Sequence, residues 1–169
     1  MMKRNLYLGL LVFGIALLAL AVAAPNFSGA WIRDKAKSDP MGMGRPGGGG
    51  GGGQAPDVEV TLTIKQDANS FETSTQRGDR PPRETKYTLD GKENTTTTQR
   101  GSTVSKSKWN GDVLVIEGVQ KFTNQAGDAM EMKFKDEYSL SADGKVLTVT
   151  NTSSGPQGER TSKQVYNKK

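Results

Sequence analysis

Asp136 and Asn151 are the two residues whose predicted positions suggest chemistry most directly. Period-two alternation along the stretch from Met130 to Thr150 predicts a β-hairpin with Asp136 on the apolar face of its first strand and Asn151 opposite. A carboxylate that faces an interior is costly unless it has a partner. Three interpretations follow: Asp136 orients an amine or hydroxyl of a ligand, pairs with an internal Arg or Lys, or lies at the wet rim of a barrel.

Catalytic chemistry has few residues to work with in this chain, because it contains no cysteine and no histidine. A Ser-His-Asp triad, a cysteine nucleophile, a thiolate zinc site and an imidazole base are therefore excluded. A pair of carboxylates could still cleave a glycosidic bond at a separation of about 5–10 Å. Asp112 is the other acid predicted to face inward, but it lies beside a turn. We therefore predict no enzyme, no cofactor and no metal centre.

Two Met-x-Met pairs leave one metal hypothesis open. Thioethers are soft ligands that suit Cu(I), and Met130 and Met132 project from the same side of a strand. Met41 and Met43 form the other pair, in a glycine-rich segment. The alternative is that the strand pair fills the core and the other pair lies in a loop.

The hairpin that contains Asp136 has a register selected by burial. A four-residue loop from Ala142 to Lys145 pairs Leu140 with Leu147 and Asp136 with Asn151. A loop shorter by one residue would turn Leu147 to solvent, because a slip of one residue exchanges the two faces of a strand.

A second hairpin is predicted at Asn110-Gly111, a sequence typical of type I′ turns. A two-residue loop there places Trp109 opposite Asp112 and Ser105 opposite Ile116. The lysines of this hairpin then face water. The predicted inward residues are Ser105, Ser107, Trp109, Leu114 and Ile116.

The elements that position these residues are short strands. From Asp57 onward, alternating segments recur about every ten residues, separated by turn signals that include Asp90-Gly91. Sequential hairpins need no long crossovers, and closure removes exposed edges. The chain is therefore predicted to be all-β, an antiparallel up-and-down (meander) β-barrel of about 8–10 strands. The alternative for such a series is a two-layer sandwich.

The N-terminal residues predict export. Lys3 and Arg4 precede an apolar run from Leu6 to Leu20 and then small residues, which is typical of a secretory signal peptide. Ala21 and Ala23 fit the cleavage pattern, so residues 1–23 are assigned to the signal peptide, with cleavage after Ala23. The alternative is a retained membrane anchor. We expect a periplasmic or secreted protein with no stable membrane insertion after cleavage.

The mature chain is predicted to be one domain, residues 24–169. Residues 37–56 include seven consecutive glycines and are predicted to form a mobile Gly-rich loop that precedes the main strand series. Removing residues 1–23 takes two of the 23 basic residues and none of the 18 acidic ones, leaving 21 − 18 = +3. The charges interleave, so no nucleic-acid partner is expected.

The segment Phe27-Ser28-Gly29-Ala30-Trp31 resembles the F-x-G-x-W opening of the calycins, the superfamily of lipocalins and fatty-acid-binding proteins. It also resembles the start of small exported bacterial proteins with an N-F-S-G-x-W segment. The end of the chain, Gln164 to Lys168, is similar to the closing strand of fatty-acid-binding proteins, although Gln164 stands where those proteins have an arginine. The resemblance implies a barrel whose closed end is plugged by Trp31 and whose interior holds an apolar ligand.

The predicted inward face mixes large apolar groups with Ser and Thr, which leave space and need hydrogen-bond partners. We therefore predict an exported, non-enzymatic, lipocalin-like barrel that binds a small, partly apolar ligand, hydrophobic or amphipathic, in its interior. The first alternative is a structural or adhesive cell-envelope protein with a packed barrel, and the second is Cu(I) binding through the Met-x-Met pairs. The predicted cavity residues are Trp31, Tyr87, Ser105, Ser107, Trp109, Phe134, Asp136, Tyr138 and Asn151.

Overall fold

The computed structural model describes residues 24–40, 58–98, 101–123, 127–156 and 158–169. The strands in these ranges are β1 (Gly29–Arg33), β2 (Val60–Gln66), β3 (Ser70–Arg77), β4 (Arg83–Thr88), β5 (Glu93–Thr98), β6 (Gly101–Asn110), β7 (Val113–Thr123), β8 (Ala129–Leu140), β9 (Val146–Gly155) and β10 (Gly158–Lys168). Nothing in the described ranges is a helix with the length and hydropathy needed to cross a bilayer. The predicted signal peptide, residues 1–23, and residues 41–56 of the predicted Gly-rich loop lie outside the described residues.

The ten strands form one antiparallel sheet in the order β4-β3-β2-β1-β10-β9-β8-β7-β6-β5. Consecutive strands are neighbours except at one place, where β1 pairs with β10 and returns the chain to its beginning. The sheet therefore curls into a nearly closed up-and-down barrel, which confirms the predicted fold class. The two strands at its ends are β4 and β5.

The β8–β9 hairpin has the predicted register. Leu140 pairs with Leu147, and Asp136 pairs with Asn151. The backbone N–H of Ser141 donates to the carbonyl of Val146 at 2.8 Å, which closes the four-residue loop. Burial of the alternating apolar residues was sufficient to select this pairing.

The β6–β7 hairpin differs from its predicted register by two residues along the partner strand. Asn110 pairs with Val113 and Trp109 with Leu114, so the loop consists of Gly111 and Asp112. Gly111 has a φ of 58°, and within the described residues only glycines have a positive φ. A type I′ turn requires a positive φ at both of its central residues, so Asn110 cannot be the first of them. A slip of two keeps the faces, so the inward set is unchanged, but Asp112 is an exposed turn residue.

The Asp90-Gly91 turn does not produce a hydrogen-bonded hairpin. Gly91 has a φ of 72°, as a turn requires, but β4 and β5 do not pair. After β4, the N–H of Leu89 donates to the carbonyl of Asn69 at 2.8 Å, and Leu89 packs against the core. The chain therefore bends toward the barrel interior at Leu89, before β5 begins, and a gap is left between β4 and β5.

One half of the barrel interior is solidly packed. Phe27 and Trp31 are 0 % exposed, and the indole Nε1–H of Trp31 donates to the Phe27 carbonyl at 2.9 Å. The ring of Phe27 stacks on Trp109 and meets the edge of Phe71, each at 6.0 Å between centroids. The buried core consists of Phe27, Trp31, Leu62, Ile64, Phe71, Leu114, Ile116, Tyr138, Leu147 and Tyr166.

Candidate ligand-binding cavity

The other half of the interior is open. Along β7, the inward residues Leu114 and Ile116 are buried in the core, whereas Gln120 and Phe122, further along the same face, line a cavity of about 1710 Å³. Each long strand therefore has a packed end and an open end. The core cluster forms the floor of the cavity.

The cavity is continuous with space outside the barrel. Its lining includes Thr63, Lys65 and Glu72, which alternate with the inward residues of β2 and β3 and so lie on the outer face. The volume therefore includes space that opens past the β4 edge. The internal part alone is smaller, and ligand pockets typically measure about 300–1,000 Å³.

The inner wall combines apolar and hydroxyl side chains. Phe122, Met132 and Phe134 supply the apolar surface contributed by β7 and β8. The hydroxyl groups come from Thr73, Thr75, Thr85, Thr96, Thr103 and Ser105. Of the inward Ser and Thr residues that predicted unfilled space, Thr73, Thr75 and Ser105 line it, and such a wall suits a ligand that is only partly apolar.

Asp136 lies where the floor meets the open half. On the inner face of β8 it is the neighbour of the buried Tyr138, two residues before it in the chain. It pairs with Ile116 on β7 and with Asn151 on β9. The Asn151 amide Nδ2 donates to its Oδ1. Burial raises the pKa of Asp136, while the hydrogen bond from Asn151 and the positive charge of Arg83 act in the opposite direction.

Two tyrosines stand beside this carboxyl group. Burial, aided by the negative charge of Asp136, raises the pKa of Tyr87 to about 12. The same causes raise the pKa of Tyr138 well above its ordinary value. Both phenols are therefore neutral and remain hydrogen-bond donors at physiological pH.

Arg77 and Arg83 place positive charge at the open end. Both share the inward face of their strands and line the cavity, although their side chains are largely exposed. Within the described part of the chain, neither forms an ion pair with a carboxylate. Sequence reasoning missed them, although continuing the alternation from Phe71 to Arg77, and backward from Tyr87 to Arg83, would have found both.

Gln164 lies at the position where fatty-acid-binding proteins carry an arginine, and it accepts a hydrogen bond from Arg33. The Nε–H of Arg33 donates to Gln164 Oε1 at 2.6 Å, and its Nη2 donates to the carbonyl of Asp39 at 2.6 Å. This guanidinium therefore ties β1 to β10 and to the chain that follows β1. It is occupied by protein acceptors.

The nine predicted cavity residues separate into two groups. Those that line the cavity are Tyr87, Ser105, Phe134, Asp136, Tyr138 and Asn151. Trp31, Ser107 and Trp109 do not: Trp31 is core, Trp109 packs against it, and the Ser107 hydroxyl donates to the carbonyl of Thr88. That bond links β6 to β4 beside the gap. These three positions were assigned correctly to the interior but lie on the packed side of it.

The metal hypothesis gains no additional donor from the structure. Met130 and Met132 lie on the same face of β8, and Met132 lines the cavity. Met41 and Met43 lie outside the described residues. Within the described ranges, no cluster of three or more Asp, Glu, His or Cys residues could hold a metal ion. Copper binding stays a prediction.

Known structures share this architecture. A zebrafish ileal bile-acid-binding protein complexed with cholic acid matches with a TM-score of 0.58 at 19% identity, over 85% of this chain and 98% of that one. The fold is calycin-like. A fatty acid transporter, REP1-NXSQ, matches this calycin-like barrel with a TM-score of 0.53 at 14% identity, over 85% and 96% of the two chains.

A third structure, a secretory abundant heat soluble protein from Ramazzottius varieornatus, matches with a TM-score of 0.54 at 16% identity, over 84% and 94% of the two chains. No protein-family model and no curated protein sequence matches the chain. The calycin-like likeness is therefore carried by backbone geometry, and the F-x-G-x-W resemblance stays a prediction.

Proposed function

We propose that this calycin-like barrel is an exported, non-enzymatic binding protein that holds a small amphipathic molecule in the open half of its interior. The observation that carries the proposal is the division of the interior. An aromatic core fills one half, and the other half is a cavity with apolar, hydroxyl and cationic groups. The structural alternative with a packed barrel requires side chains where this cavity lies.

The similar structures support the same type of ligand. Two of them are, by name, a bile-acid-binding protein with cholic acid and a fatty acid transporter. Bile acids and fatty acids combine an apolar body with a carboxylate. In this chain, Arg77 and Arg83 at the open end are available to such an anion, whereas Arg33 is bound to Gln164. We therefore propose an anionic head at the mouth and an apolar body against Phe122, Met132 and Phe134.

Titration with dodecanoate, followed by displacement of a fluorescent anilinonaphthalene sulfonate probe, tests the proposal. Saturable binding at one site per chain is expected. Thr103→Trp fills the cavity from β6 and should abolish binding. Thr95→Trp, on the exposed face of β5, is the matched control and should leave affinity unchanged. Equal binding by both variants would place the ligand elsewhere and overturn the proposal.

Charge at the mouth has a separate readout. Arg77→Gln and Arg83→Gln should each weaken dodecanoate binding by roughly tenfold while leaving 1-dodecanol unaffected, because a charge-assisted hydrogen bond contributes about 1.5–3 kcal/mol.

Export is tested on protein recovered from the source cells by mass spectrometry. A mature chain that begins at Ala24 supports it, and a full-length chain contradicts it.

A further inference from the structure

Asp136 has hydrogen-bonding capacity that no described residue uses. The carboxylate accepts from Asn151 through Oδ1, and it takes part in no ion pair with a described lysine or arginine. Every fully buried side-chain nitrogen or oxygen of the described residues has a partner. Oδ2 of Asp136 has no hydrogen-bond partner among the described residues, so it is not fully buried and is open to the cavity that the residue lines.

The two structural explanations for an inward carboxylate do not apply. An internal ion pair is absent from the described residues, and Asp136 is well below the rim, next to the buried Tyr138 and Ile116. A carboxylate at this depth is costly, and an apolar residue would pack better against Ile116. The remaining explanation is recognition of a group that enters the cavity and donates a hydrogen bond.

The surrounding charge favours a neutral donor, such as a hydroxyl, over an ammonium ion. Arg83 is close enough to influence Asp136 electrostatically, and Arg77 lines the same cavity. Two guanidinium groups disfavour an ammonium ion but attract a carboxylate. A molecule that places its carboxylate at Arg83 can direct a hydroxyl from a nearby carbon to Oδ2 of Asp136.

We propose that Asp136 and Asn151 form a hydroxyl-recognition subsite, and that the ligand is an amphipathic anion with a hydroxyl group close to its carboxylate, such as a 3-hydroxy fatty acid. This inference rests on the proposed interior binding function. Asn151 orients the carboxylate by donating to Oδ1, and the ligand hydroxyl donates to Oδ2. The hydroxyl can in turn accept a hydrogen bond from the neutral phenol of Tyr87, which lines the same cavity.

Isothermal titration with dodecanoate and 3-hydroxydodecanoate tests the subsite. We expect the native protein to bind the hydroxylated acid about tenfold more tightly, since hydrogen bonds to charged groups are the stronger ones. Asp136→Leu should remove this preference, so that the variant binds the two acids with equal affinity. Glu137→Gln, one residue along β8 on the outer face, is the matched control and should keep the preference.

The outcomes separate the two proposals. If the native protein binds both acids equally, the hydroxyl subsite is wrong while interior binding stands. If it binds neither, interior binding and the subsite both fail. A preference that persists in Asp136→Leu also overturns the subsite. Should that variant not fold, Asn151→Val takes its place, and the subsite then requires a reduced preference for the hydroxylated acid.

Discussion

Two inward side chains, Trp31 and Asp136, illustrate opposite contributions to this barrel. Trp31 is fully buried, its N–H group is bonded to the Phe27 carbonyl, and Lys168 lies 5.3 Å from its ring centroid. It stabilises the floor of the barrel. Asp136 is placed among apolar neighbours with one oxygen open to the cavity, so it reduces stability. Residues retained at such a cost are typical of binding sites.

Replacing Asp136 by Asn should therefore stabilise the protein at pH 7. The pKa of Asp136 is raised in the folded state, so the folded protein binds the proton more tightly than the unfolded chain does. Native stability then increases as the pH falls from the raised pKa toward the ordinary carboxyl pKa. We expect Asp136→Asn to unfold at higher urea concentration at pH 7, by on the order of 1 kcal/mol, with the difference fading on acidification.

Asp143 provides a control of opposite sign. Its hydrogen bond from Ser141, followed by that from the Lys145 N–H, lowers its pKa. It therefore contributes stability at neutral pH that is lost as the pH falls through the lowered pKa. Asp143→Asn should reduce stability at pH 7 and converge with the native protein in acid. If the change in unfolding free energy had the same sign and the same pH dependence in Asp136→Asn and Asp143→Asn, the opposite roles assigned to the two carboxyl groups would be contradicted.

At the scale of strands, the gap between β4 and β5 is held by contacts that no sequence pattern indicated. Beside the gap, the Ser107 hydroxyl of β6 donates to the carbonyl of Thr88 at the end of β4. Ser107 is 2 % exposed and Ser105, two positions away on the same face of β6, is 6 % exposed. Their burial is similar, but Ser105 faces the cavity and has no bond of this type.

Ser107→Ala should release the end of β4. We expect a loss of about 1–2 kcal/mol in the free energy of unfolding, because the Thr88 carbonyl loses its partner, together with faster hydrogen exchange of the β4 amides. Ser105→Ala should change neither quantity measurably. The result that would contradict this role is equal exchange of the β4 amides in the two variants.

Close approach of β6 and β7 depends on a glycine. A Cβ at Gly118 would lie 2.2 Å from the Val104 carbonyl oxygen and 3.0 Å from the Phe134 ring. Gly118→Ala must therefore separate the two strands, and we expect a cost of at least about 2 kcal/mol in urea unfolding. Gly144→Ala, in a turn with a φ of 67° and open space around the new Cβ, should cost only about 1 kcal/mol. A smaller loss of unfolding free energy for Gly118→Ala than for Gly144→Ala would show that β6 can move away from β7 at little cost.

The extent to which the sequence predicts these elements depends on what determines each register. Burial selects the β8–β9 pairing, since a one-residue slip would expose Leu147, and that pairing is correct. A two-residue slip leaves the faces unchanged, so alternation cannot detect it, and the loop at Gly111 had to be inferred from turn chemistry alone. The β4–β5 gap depends on the hydrogen bonds that Leu89 forms with Asn69 and Ser107 forms with Thr88. These partners are distant in the sequence, so local patterns do not predict the contacts.

Over the whole molecule, the barrel is stabilised at one end and left open at the other. Alternation predicts which side chains point inward but not how far each one lies along the barrel axis. Trp109 and Phe134 are therefore equivalent in the sequence, although one packs against Phe27 and the other lines the cavity. The depth of a residue becomes visible only when the staggered strands are assembled. Ligand entry should stabilise mainly the open half, where fewer apolar contacts exist.

A bound amphiphile should raise the thermal stability of the whole barrel. A ligand that binds only the folded state contributes about 2.7 kcal/mol at one hundred times its Kd. For a domain of this size that corresponds to an increase in Tm of roughly 5–11 °C. Scanning calorimetry with dodecanoate should show this increase for the native protein and for Thr95→Trp, and none for Thr103→Trp. An equal increase in Thr103→Trp would mean that the fatty acid stabilises the outer surface, and the open half of the interior would then not be a binding site.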